Sequence, residues 1–405
     1  MNESTSETSR SVSDRGEQTE VPPPEHDGPL VSPSLAAVFD GLPDPRRQTR
    51  NKRHRLTDIL VIATCAVIGG AESWEAIAEY GTTKVNFFRR SLPLDNGIPS
   101  PDTFQRVFAK LDPGAFAQAF GRWMAAACQA TGLIPVAIDG KSARAAKRNT
   151  ATGCLHVVTA WAAENRLVLG TASVADGSNE IAAIPELLRT LDLSGAIVTI
   201  DAAGCQVENA RIIRKQEGHY LLAVKDNQPT LRAAVEAVFD QACEADFTGF
   251  RFDGHEEIEE GHGRHEERYV TVIYDPPGMP EGWPEAAAVV LVNREREVGG
   301  ERTCTSHYYL ASYAGTGAEI AGIVRGHWDI ENGLHWVLDV VFGEDRSRVR
   351  QGHAGANLAM IRRVAVSLLN RAPGKGSGVT KRLKAGWDDG YLLQVLQGID
   401  APIVR

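Results

Sequence analysis

The chain has 405 residues, 43% hydrophobic and 23% charged, a composition that suits a soluble protein with two or three domains and a sizeable core. Its six cysteines contain no Cys-x-x-Cys pair, which argues against a zinc framework or a dense disulfide scaffold and suits a reducing cytoplasm. The net charge of −9 argues against a protein that coats DNA indiscriminately, and no apolar run is long enough to span a bilayer.

Residues 1–33 are rich in Ser, Thr, Glu and Pro and read as a disordered tail, too poor in large apolar side chains to offset ordering entropy. Residues 1–40 carry a net −6, yet six cations follow at once: Arg46, Arg47, Arg50, Lys52, Arg53 and Arg55. Helical spacing then runs over 56–70, 73–80 and 116–131, and Ser100-Pro101-Asp102-Thr103-Phe104 has the form of a helix start. A helical domain is expected over 34–131.

From Leu133 the period changes. Strands are expected at 136–139, 155–162, 167–174, 197–201 and 220–224, and helices at 181–191 and 207–217. Three strands, a helix, a strand, a helix and a strand fit a mixed sheet with helices on its faces. Residues 240–260 carry a net −7, so the chain outside the two acidic stretches carries +4. A second β-rich stretch ends near residue 313 and reads as a separate subdomain inserted at about 240–313. Helices are expected over 320–342 and 357–370. The Gly-rich run Pro373-Gly374-Lys375-Gly376-Ser377-Gly378 reads as a flexible joint to a short C-terminal helix within 373–405.

Three carboxylates stand in marked contexts. Asp139 closes the apolar run Pro135-Val136-Ala137-Ile138, Asp201 closes Ile197-Val198-Thr199-Ile200, and Glu331 lies in the helical stretch His327-Trp328-Asp329-Ile330-Glu331-Asn332. Singly, an Asp at a strand end is more often a turn former or helix cap, and a helical Glu is more often part of a solvated face. Two strand-end carboxylates and one from a helix can nevertheless converge on hard cations, and two Mg²⁺ about 3.5–4 Å apart can clamp the attacking and leaving oxygens of a phosphodiester.

The three segments, together with Gly177-Ser178-Asn179-Glu180-Ile181, Ala223-Val224-Lys225-Asp226-Asn227-Gln228, His262-Gly263-Arg264 and Trp387-Asp388-Asp389-Gly390-Tyr391, resemble in order the motifs of the H-repeat-associated (ISAs-type) insertion-sequence DDE transposases. The resemblance runs from about residue 35 to about 398. It implies a ribonuclease H-like catalytic domain over 132–372, with Asp139, Asp201 and Glu331 as a triad binding two Mg²⁺ ions, Mn²⁺ being a substitute. It implies double-stranded DNA as substrate, at element ends and in the target, a homodimer assembled on DNA, and a helical N-terminal domain that helps to recognise element ends. Related transposases often carry an Arg four residues before the catalytic Glu and a Lys seven after it; here those positions are His327 and Leu338, and Arg325 is the nearest guanidinium before Glu331.

The basic cluster at 46–55, together with Lys141, Arg144, Lys225 and Arg325, forms the expected DNA path. Lys225, Asn227 and Gln228 equally suit a turn that caps the next helix. His255 to His265 invites a metal-site reading, but a polar strand and turn fits better. Trp283 reads as surface-packed, and Trp328 and Trp336, eight apart, as packing the catalytic helix onto the sheet. Two other functions fit the same residues: a co-opted transposase that only binds DNA as a regulator, and a metal-dependent nuclease without strand transfer.

Overall fold

The computed structural model describes residues 33–47, 52–128, 134–143, 155–175, 178–261 and 264–398. The acidic tail to residue 32, Arg50, Arg144, Gly177, His262 and Gly263 lie outside the described residues.

Helices come first: α1 (Pro33–Asp40), α2 (Leu56–Ile68), α3 (Trp74–Thr83), α4 (Val85–Arg89), α5 (Pro101–Lys110) and α6 (Pro113–Ala127). α2 is apolar on every face, and all its residues but Thr57 are buried, as a helix at the centre of a core must be. β1 (Ile134–Ala143), β2 (Leu155–Ala162) and β3 (Leu167–Ser173) follow, then α7 (Glu180–Thr190), β4 (Ala196–Ile200), α8 (Val207–Lys215), β5 (His219–Val224) and α9 (Pro229–Glu244). The order read from the sequence is the order observed.

β1 runs antiparallel to β2 and parallel to β4, and β4 runs parallel to β5. One face, including Val136, Ile138, Val198 and Ile200, packs with residues of α7, α8 and α9. Ala137, Trp161, Leu167 and Val168 join a second core with α2, α5 and α6.

The inserted segment corrects an expectation. β6 (Phe252–Gly261), β7 (Arg264–Tyr274), β8 (Ala288–Val298) and β9 (Glu301–Ala311) do not form a separate subdomain. β9 pairs antiparallel with β5 from Leu221↔Ala311 to Val224↔Tyr308. The result is one nine-stranded sheet, β3-β2-β1-β4-β5-β9-β8-β7-β6. The pairing closes the open edge of β5, whose unpaired backbone groups would otherwise need another partner. Val270, Val272, Val290 and Val292 bury one side of this extension beneath the next helix.

That helix runs as α10 (Gly317–Asp329), a π-helical turn (Ile330–His335) and α11 (Trp336–Val340). A capping box at Thr316 and Glu319 starts it. After it come α12 (Ala354–Arg371), α13 (Gly378–Trp387) and α14 (Asp389–Gln397). The C-terminal region therefore holds two helices where the sequence suggested one. α12, α13 and α14 contribute to the core that contains α2 and residues Ile330, Leu334 and Leu338 of the π-helical turn and α11. The Arg382 guanidinium of α13 donates to the Val67 carbonyl of α2 at 3.3 Å and 3.2 Å.

Candidate active site

Asp139 and Asp201 owe their proximity to strand register. Ile138 of β1 pairs with Ile200 of β4 in a parallel ladder, so Asp139, which lies within β1 rather than at its end as the sequence suggested, and Asp201, just beyond β4, reach the same level. Asp139 accepts the Gly140 N–H at 2.8 Å. Asp201 caps the short turn 202–204, accepting the Gly204 N–H at 3.2 Å. Side-chain amides hold that turn: Asn227 donates to the Ala202 carbonyl at 2.6 Å, Gln228 to Cys205 at 2.8 Å and Asn209 to Gly204 at 2.8 Å. Asn227 and Gln228 thus fix the backbone beyond the second aspartate. Lys225 is exposed, and its positive charge acts on Asp201.

Glu331 is presented by a helix whose neighbouring residues do the anchoring. His327 Nδ1 lies 2.8 Å from Thr199 Oγ1 on β4, and burial pushes the imidazole down to about 4, so it is neutral. Asp329 accepts the indole N–H of buried Trp161 on β2 at 3.1 Å. Ile330 and Leu334 enter the core while Glu331 itself is exposed. The position that carries Arg in related transposases is here a half-buried anchor bonded to Thr199, which a permanently charged guanidinium would fill poorly. The turn bearing Glu331 is π-helical, an irregularity that recurs at functional sites.

The charges of these residues meet. Burial, with the negative charges of Asp201, Glu180 and Glu331, pushes the Asp139 carboxyl up to about 7 against the opposing Gly140 hydrogen bond. Burial likewise raises Asp201, and Glu180 adds to the effect. His335 Nδ1 lies 3.6 Å from Asp139 Oδ2, but burial and the charges of Arg363, Lys141 and His156 hold the imidazole down at about 3. The contact is therefore between a carboxyl and a neutral ring, not an ion pair. His335 Nε2 is buried without a hydrogen-bond partner among the described residues.

Among the described residues, no group of three or more His, Cys, Asp or Glu side chains stands close enough together to hold a metal ion by itself. The donor set still fits Mg²⁺, which takes one or two carboxylates and completes its shell with water and substrate phosphates. A divalent cation would also offset the burial and the neighbouring negative charges that together raise Asp139.

The expected DNA contacts fare unevenly. Lys141 is buried and paired with Asp339 at 2.8 Å and Asp345 at 3.7 Å, so it ties β1 to the segment after Glu331 rather than standing free for a phosphate. Arg325 pairs with Glu257 and with Glu259, the latter at 3.0 Å. Arg46 and Lys52 both pair with Asp44 at 2.8 Å. Arg47, Arg53 and Arg55 are exposed. Residues 255–261 and 264–265 lie on two paired polar strands, with Glu266 buried between Arg268 and Arg294. Trp283 packs on the core.

Trp328 and Trp336 are 46% and 57% exposed and do not pack the helix onto the sheet. Ile330, Leu334 and Leu338 occupy the buried face instead, with the half-buried His327 bonded to Thr199. The sequence alone assigns no role to Glu180 or His156, although Glu180 lies within one of the family motifs. Asp329, Asp339 and His335 lie in the third carboxylate's motif, and there too only the structure shows what they do.

Comparison with known families fits this arrangement. The chain belongs to the DDE transposase family: the transposase DDE domain matches residues 131–368, and the DDE_Tnp_1-associated region matches 36–124. It is 36% identical to "H repeat-associated putative transposase YhhI" of Escherichia coli K12, over 87% of this chain and 95% of that protein. It is also 36% identical to "Putative transposase YncI" of Escherichia coli O157:H7, over 90% and 94%. An "Uncharacterized protein in dhlA 3'region" of Xanthobacter autotrophicus is 41% identical over 69% of this chain and 95% of its own length.

Proposed function

We propose that this chain is an insertion-sequence transposase that cleaves DNA at the ends of its element and joins the freed 3′ ends to target DNA. The observation that carries this reading is the placement of Asp139 and Asp201 at one level on adjacent parallel strands, with the Glu331 helix anchored to the same sheet through Thr199 and Trp161. The central strand order, with β1 between an antiparallel β2 and a parallel β4, supports a ribonuclease H-like catalytic unit.

Asp139, Asp201 and Glu331 would hold two Mg²⁺ ions, with Mn²⁺ as a substitute. When bound, such ions stabilise the charge that develops on the phosphate and on the attacking and leaving oxygens. Water attacks the phosphodiester at the element end and frees a 3′-hydroxyl, which then attacks a phosphodiester of the target. Neither step needs a covalent protein–DNA bond. The anchors His327, Asp329 and Lys141 keep the carboxylates placed through both. Duplex DNA at the element ends, a homodimer assembled on it and a cytoplasmic location complete the proposal.

The test is a cleavage and strand-transfer assay on labelled element-end DNA with Mg²⁺. Asp139→Asn, Asp201→Asn and Glu331→Gln should each abolish cleavage and leave DNA binding largely intact, because affinity comes from basic contacts and rate from the transition state. Cleavage without joining would identify a nuclease, and binding without cleavage a DNA-binding regulator. Full activity in any of the three variants would remove that residue from the site.

A further inference from the structure

A fourth carboxylate stands over the first of the three. Glu180 opens α7, and its Oε1 lies 2.5 Å from His156 Nε2 on β2. His156 Nδ1 is in turn 2.6 Å from Ser142 Oγ, directly across the β1–β2 ladder. Gly140, next to Asp139, makes this possible: a Cβ there would collide with Glu180 Oε1 and with His156 Nε2. The bare α-carbon lets a carboxylate settle against the strand beside the catalytic aspartate. The Glu180 and His156 side chains keep 25% and 24% exposure, although His156 Nε2, the atom that faces the carboxylate, is itself buried. The charge of Glu180 acts on both Asp139 and Asp201.

An acid in the first turn of a helix is ordinary, since it meets the positive end of the dipole. That role needs neither an imidazole holding the carboxylate nor a glycine clearing space beneath it, and Asn179 already caps α7 by accepting the Ala182 N–H at 3.3 Å. We propose that Glu180 is a fourth carboxylate of the divalent-cation site and that His156 is the positioning residue that holds it beside Asp139. The proposal rests on the reading of Asp139, Asp201 and Glu331 as the metal-binding triad.

The test is Mn²⁺ binding to the full chain without DNA, by titration calorimetry, beside the metal dependence of cleavage. Melting curves in chelator establish that each variant is folded. Glu180→Gln should weaken Mn²⁺ binding about tenfold or more, with Glu180→Asp intermediate because its shorter arm still offers a carboxylate. His156→Gln should raise the Mn²⁺ concentration needed for half-maximal cleavage while leaving the rate at saturating metal close to that of the unaltered chain. A merely structural role would lower both together. Asp201→Asn distinguishes failure of this proposal from failure of the triad reading. If it loses Mn²⁺ binding while Glu180→Gln and Glu180→Asp bind like the unaltered chain, Glu180 is only a helix-start acid and the proposal falls. If Asp201→Asn also binds normally, the triad reading itself is wrong.

Discussion

At the scale of single residues, Asp139 couples the site to stability. Its carboxyl sits at about 7 in the fold, against an ordinary value of 3.8. Between those values the folded chain keeps a proton that the unfolded chain has lost. The stability this contributes is complete below about pH 4 and is lost as pH rises through about 7. At about 1.4 kcal/mol per unit, roughly 4 kcal/mol is the ceiling. Urea denaturation in chelator at pH 5 and pH 8 should show this loss in the unaltered chain and much less of it in Asp139→Asn, and Mg²⁺ should restore stability at pH 8. Parallel profiles for the two proteins would sink the assignment. His327 makes a different demand. His327→Ala removes the bond to Thr199 and should cost about 1–3 kcal/mol, with cleavage reduced further than stability because Glu331 is no longer held. His327→Arg, which restores the residue common in related transposases, should be worse, since it buries a charge where a neutral ring now sits. A gain of activity in His327→Arg would overturn the view of this position as an anchor.

Among the elements, the legible ones are those whose period and burial agree. The β-branched runs ending at Asp139 and Asp201 are buried on both faces and read as strands, and their parallel pairing follows the expected order. The β6–β9 stretch is legible as strands but not in its attachment, because the β5–β9 pairing involves only residues 221–224 and 308–311 and leaves no periodic mark. The π-helical turn is equally hidden. A helical wheel drawn through 328 and 336 assumes 3.6 residues per turn, whereas the wider turn at 330–335 shifts everything after it. Glu180 is legible as part of a motif, but its task depends on a glycine and a histidine from other strands. Arg363 on α12 is invisible for a similar reason. It is wholly buried, donating to Thr159 on β2 at 3.0 Å and to Glu344, just beyond α11, at 2.8 Å. Arg363→Ala leaves the Glu344 carboxylate buried without this partner and should destabilise the chain by about 3–5 kcal/mol. A destabilisation below about 1 kcal/mol in chemical denaturation would mean that the pair is not a keystone of the packing.

For the whole molecule, an acidic protein must still grip a polyanion. Acid and base are largely paired off on the sheet extension, where Glu257, Glu259 and Glu266 hold Arg268, Arg294 and Arg325. Lys141 is committed to Asp339, and Arg46 and Lys52 to Asp44. Arg47, Arg53 and Arg55 remain exposed, just ahead of α2 at the heart of the helical core. That core also holds Leu338, Leu358, Leu368 and Leu392, so a force on the arginine segment bears on the body that carries Glu331. We expect these three arginines to dominate binding at the element end. Removing one arginine–phosphate pair should reduce the slope of log affinity against log salt by about 0.9. Changing all three to Gln should flatten the slope by up to about 2.7 and weaken binding most at low salt. Lys141→Gln should change the slope little and should lower cleavage by cutting the tether to Asp339. The measurement is a salt series of binding isotherms on element-end duplex. A slope unchanged in the triple variant, or one that falls in Lys141→Gln instead, would move the DNA path away from the α2 entrance.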